Sequence, residues 1–149
     1  MLRKKVLAPS LFVAVFAAGY FVGNASGPHG AGIAYAQGQP RVFELRTYTA
    51  HDGRLGDVVN RFRDHTTRIF AKHGMTNVGY WTPEDAPLSQ NTLIYILAHP
   101  SREAAKKSWD EFRNDPEWKI AKAASEEKGA IVERTASVFM DATTFSPLK

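Results

Sequence analysis

Hydrophobic spacing divides the chain from residue 42 onward into strands and helices. "VFELRTYTA" (42–50) is rich in β-branched and aromatic residues and reads as a strand. Its Glu44, Arg46 and Tyr48 then share one face, and Leu45 and Thr47 the other. After the turn "HDG", Leu55, Val58, Val59, Phe62, Thr66, Ile69 and Phe70 recur at helical spacing, which predicts a helix with one buried stripe. Gly74 ends it, because glycine tolerates the left-handed cap conformation. "MTNVGYWT" (75–82) predicts a second strand, with Trp81 facing away from Tyr80. "PEDAPLSQ" is a loop, and "NTLIYILAH" (91–99) is a near-continuous apolar run, the pattern of a central strand covered on both faces.

Ser101 suits the N-cap of a third segment, a helix whose apolar side uses Ala104, Ala105, Trp109 and Phe112. Asp115 and Pro116 restart a helix that Gly129 ends. "AIVERTASVFMDAT" is the last strand. Val132, Arg134, Ala136, Val138 and Met140 are expected on one side, with Glu133, Thr135, Ser137, Phe139 and Asp141 on the other. The order β-α-β-β-α-β, with its second helix broken in two, predicts an α+β, ferredoxin-like protomer. That is a four-stranded antiparallel sheet with its helices on one face. The Leu45 side is expected to meet the helices and the Glu44 side to look outward. Strands three and four are apolar on both sides, so the outward face calls for a cover, most simply a second copy of the chain.

The strings "FELRTYT", "HGM", "VGYWTPEDAPLSQNTLIYILAH" and "NDPEWK", in that order and spacing, resemble the NIPSNAP family over about residues 42–145. The resemblance implies a protomer that pairs sheet to sheet as a dimeric α+β barrel, with Glu44, Arg46 and Tyr48 lining the interior between the sheets. Related barrels include small monooxygenases and heme-handling enzymes with pockets between sheet and helices. Eukaryotic members of the family are linked to mitochondria and vesicle traffic. None of this fixes the chemistry of this chain.

Charge and composition bear on the N-terminus. The formal net charge is +4, but Arg3, Lys4 and Lys5 supply most of it. From residue 37 onward sixteen basic residues face fifteen acidic ones, which is no footprint for nucleic acid. The basic cluster precedes an apolar stretch, Val6 to Val22, in the layout of a secretory signal. "AYA" ending at Ala36 suits signal peptidase, so residues 1–36 read as a signal peptide and 37–149 as the barrel domain. The other reading is an uncleaved signal-anchor, with the Gly- and Ala-rich stretch after it as a flexible spacer. Both place the domain outside the inner membrane, periplasmic or extracellular if cleaved and tethered if not. The chain has no cysteine, so disulfides, thiolate zinc sites and cysteine nucleophiles are excluded.

The sequence holds no phosphate loop, dinucleotide fingerprint, nucleophile elbow or zinc signature. Six residues are expected to line a pocket: Glu44, Arg46, Tyr48, Tyr80, Tyr95 and His99. Arg46 beside Glu44 reads either as a buried cation awaiting an acidic ligand or as an ion pair that fixes dimer register. The tyrosines each bring a ring and a hydroxyl, which suits a pocket or plain core. His99 can face a pocket mouth and, as a lone histidine, ligate heme iron. His65 and His73 are too far apart in sequence to share a metal, and no metal site is expected. The resulting expectation is a homodimer that binds a small, partly apolar molecule. A monooxygenase-like or heme-assisted oxidoreductase and an interaction module with a filled barrel are the alternatives.

Overall fold

The structure is a computed structural model and describes residues 41–149. The expected leader and spacer, residues 1–36, lie outside the described residues. Strand β1 spans Val42–Ala50, and a helical segment follows as α1 (Leu55–Arg61), a π-helical turn (Phe62–Thr66) and α2 (Thr67–Lys72). Then come β2 (Thr76–Trp81), β3 (Thr92–His99), α3 (Arg102–Asn114), α4 (Pro116–Ser125) and β4 (Val132–Asp141). The sheet runs β2-β3-β1-β4, with every neighbouring pair antiparallel. This is the ferredoxin-like α+β arrangement that the hydrophobic pattern predicts. The π turn carries no signal in the apolar spacing, and one extra residue there re-aims the stripe.

The expected caps are present. Ser101 accepts a hydrogen bond from the Ala104 N–H at 3.1 Å, and Asp115 accepts from the Glu117 N–H at 2.7 Å. Gly74 has φ +75°, the left-handed conformation predicted for it. Asp115 has a second role. It lies 2.7 Å from both Lys72 Nζ and His73 Nε2, tying the end of α2 to the start of α4. Those partners hold its carboxyl well below the usual range against the opposing effect of burial.

The two faces of the sheet are assigned the other way round from the expectation. Glu44, Arg46 and Tyr48 stand in register with Leu97, Tyr95 and Leu93 of β3, and this is the face that the helices cover. They therefore do not line a sheet-to-sheet interior. The reason is that polar atoms on this face find partners on other elements, so polarity did not mark the wet side. The opposite face carries Leu45, Thr47, Ile94, Ile96, Ala136 and Val138, paired across the strands, with Val138 55% exposed. Trp81 lies on this open face and its ring folds over Gly79, where a Cβ would meet it at 2.4 Å. Val132 also changes side. A bulge at Thr49/Ala50 pairs Ala50 with Val132, bringing Val132 against the core under the helices.

Candidate functional site

The core under the helices is largely aromatic. Phe62, Phe70, Tyr95, Trp109 and Phe112 pack edge-on or tilted, with Phe70 and Tyr95 stacked, and their centroids lie 4.8–6.0 Å apart. Tyr48 and Tyr80 join this cluster, each 5.4 Å from Tyr95. The three tyrosines thus come together, but as packing. Tyr80 donates to the side-chain amide oxygen of Asn77, and Tyr95 is wholly buried with a hydroxyl that meets no partner. Burial pushes the Tyr80 and Tyr95 hydroxyls well above the usual phenol range, so neither is a base or acid near neutral pH.

At the next two helix-facing positions of β1 the core turns polar. Glu44 is 1% exposed and accepts from four side chains. Trp109 Nε1–H on α3 donates at 2.7 Å, Ser137 Oγ–H on β4 at 2.7 Å, Arg46 Nη1–H at 2.9 Å and His99 Nε2–H at 3.1 Å. An ionised carboxylate only accepts, and these donors come from three other elements and from β1 itself. Burial alone would raise the Glu44 pKa; the four donors, His99 foremost, reverse that and hold it at about 2. Charge at Glu44 is therefore fixed at any ordinary pH.

This network forms the floor of a cleft of about 510 Å³ between α3 and β4. The helices leave β4 uncovered on this side, so Ser137 and Phe139 look into open space. Arg46 and Trp109 line the inner wall, and Arg102, Lys106 and Arg113 of α3 line the outer one. Of the six residues expected to line a pocket, Glu44 and Arg46 do so. Tyr48, Tyr80 and Tyr95 sit in the core beside it. His99 lies behind Glu44, 0% exposed, with Nε2 on Glu44 and Nδ1 buried without a partner. The ring is wholly buried and does not line the cleft, so His99 does not fit a heme ligand there. Sequence reasoning missed Trp109, Ser137, Phe139 and Arg102. The alternation of β4 had placed Ser137 and Phe139 on one side, but the face assignment hid their meeting with Arg46.

A second cleft, of about 520 Å³, lies between the first helical segment and the end of α4. Both of its arginines are already paired: Arg54 with Asp57 at 2.5 Å and Arg61 with Glu126 at 2.9 Å. That leaves the Glu44 cleft as the stronger site. Glu84 and Asp85 of the β2–β3 loop are exposed and belong to neither. Among the described residues no three His, Asp or Glu side chains gather as metal ligands, and no helix is long and apolar enough to cross a membrane.

Comparison with known proteins agrees with the fold. The pattern of the NIPSNAP family matches residues 43–147. A NIPSNAP family protein of unknown function from Agrobacterium tumefaciens superposes with TM-score 0.64 at 23% identity, over 74% of this chain and 96% of that one. A NIPSNAP-like domain protein from Burkholderia xenovorans gives 0.63 at 16% identity, over 74% and 91%. A monooxygenase from Streptomyces coelicolor, solved with the ligand nanaomycin D, gives 0.53 at 12% identity, over 74% and 95%. No curated protein matches the chain.

Proposed function

The chain belongs to the NIPSNAP family, and from that premise we propose an exported homodimer that holds a small, partly apolar molecule in the cleft between α3 and β4. The observation that carries this reading is the cleft itself. It ends on the ionised Glu44 carboxylate and its donors and leaves an arginine with unused donors at its floor. Binding sites are concave, partly apolar and furnished with a few fixed polar groups. Glu44 fixes and orients; held at about 2, it is too weak a base for general acid–base work near neutral pH. An oxygenase reading has fold likeness alone for support. An interaction module with a filled barrel leaves the cleft unexplained.

The dimer is supported by the open sheet face, whose Leu45, Ile94, Ile96 and Val138 form an apolar surface at the centre of the sheet. A second copy laid sheet to sheet covers it. Export is supported by the basic and apolar layout of residues 1–36. One experiment tests all three parts: native mass spectrometry of the protein purified from its own host. The expected species is a dimer of chains beginning at Gln37 and carrying additional small-molecule mass. A bare species of this mass would sink the binding reading, and a monomer the sheet-to-sheet one. Val138→Glu places a charge on the open face and is expected to split the dimer in sedimentation velocity while leaving each protomer folded.

A further inference from the structure

We infer that the occupant of the Glu44 cleft is a small-molecule carboxylate, gripped by the guanidinium groups of Arg46 and Arg102. This rests on the reading of the cleft as a binding site and adds the chemical class of its ligand. Two arginines line the same cavity, and each has its guanidinium carbon over an aromatic ring. Arg46 sits 4.3 Å from the centre of the Trp109 ring, and Arg102 sits 4.2 Å from that of Phe139. Stacking of this kind holds a guanidinium in place before any ligand arrives, so less freedom is lost on binding.

Both cations have capacity to spare. A guanidinium carries five N–H donors. Arg46 uses Nη1 on Glu44, while its Nε–H is buried and meets no partner. An unpaired buried donor is costly unless something fills its place. Arg102 pairs with no carboxylate among the described residues. Lys106 and Arg113, by contrast, both lean on Asp110.

Charge selects between kinds of anion. Four cations (Arg46, Arg102, Lys106 and Arg113) are opposed by three carboxylates: Glu44 and Glu103 in the cleft wall and Asp110 beside it. One positive charge is left over, which a monoanion neutralises and a phosphate dianion would overshoot. The fork of a guanidinium also matches the two oxygens of a carboxylate. The rims of Trp109 and Phe139 leave an apolar body something to lie against.

The test is a nuclear magnetic resonance titration of the purified protein with 2-naphthoate, its neutral isostere 2-naphthamide, and inorganic phosphate. The indole N–H of Trp109, which donates to Glu44, is the reporter. Naphthoate is expected to shift that signal and to bind about tenfold tighter than the amide, the size expected for one charge-assisted pair. Its affinity is expected to fall as salt is raised. Arg102→Gln, at an exposed position, is expected to keep the wild-type circular dichroism and to cut the tenfold preference severalfold, leaving what Arg46 supplies. Equal binding of acid and amide, tighter binding of phosphate, or an unchanged preference in Arg102→Gln would each overturn the carboxylate assignment. In the first case the cleft stands as a binding site for neutral molecules. If neither naphthyl compound moves the Trp109 signal, the binding reading falls with it.

Discussion

Glu44 and Asp115 are the two most deeply buried acids described here, and they invite comparison. Both side chains are 1% exposed, and both have pKa values driven down by donors from other elements. Asp115 binds Lys72, His73 and the Glu117 N–H at a helix junction, and none of these residues lines the Glu44 cleft. Glu44 binds four side chains, one of which, Arg46, opens onto a cleft with donors unused. A buried, satisfied acid is thus no mark of a site by itself. What separates the two is the unfinished hydrogen bonding of a neighbour.

The sharpest way to break that comparison is to remove each acid. Glu44→Ala strands Arg46 and His99 in the interior, and breaking a buried pair from one side costs about 3–5 kcal/mol. Urea unfolding measures the loss, and the bound mass should vanish from native mass spectra. Asp115→Ala removes an N-cap and a junction tie, so Tm should fall by a smaller amount, with ligand binding unchanged. Equal damage to binding by both variants would erase the distinction.

Acid provides the next test. The folded pKa of Glu44, about 2, is below its ordinary value of 4.5, so the unfolded chain takes up the proton first. The stabilisation is complete above about pH 4.5 and is lost as pH falls from there toward 2. Chemical denaturation across this interval should show stability dropping as the medium is acidified. Glu44→Gln, which cannot titrate, should flatten the curve. A curve of unchanged steepness in that variant would assign the acid sensitivity to Asp115 instead.

Much of the fold is legible in the sequence. Apolar period, Gly74, Ser101 and the Asp115–Pro116 pair give the element order, the break between α3 and α4 and their caps. The faces of β1 are not legible. Residues 44, 46 and 48 are more polar than 45 and 47, and the usual rule sends the polar set to solvent. The rule fails because a tryptophan, a histidine and a serine from 55 to 93 positions away satisfy Glu44 inside. Such partners can only be counted once the chain is folded. The bulge that turns Val132 inward is hidden for the same reason: one extra residue in β4 shifts every later side chain, with no glycine or proline to announce it.

The smallest expected effects come from trimming one donor at each acid. Ser137 lies on the exposed edge strand β4, and its hydroxyl is the one side-chain hydrogen bond from that strand to the Glu44 carboxylate among the described residues. Ser137→Ala is expected to cost about 1 kcal/mol, the net worth of one hydrogen bond. It should also raise the Glu44 pKa from its value of about 2, because a donor to the charged form is gone. The acid transition would then begin at higher pH, and ligand affinity would weaken because the floor of the cleft is loosened. Lys72→Ala trims Asp115 in the same way, but Lys72 is half exposed and solvent screens the pair. Its effect on Tm should be barely measurable, and the cleft should not register it at all. If Lys72→Ala moved ligand affinity while Ser137→Ala did not, the junction rather than the cleft would be the part of this molecule that meets its ligand.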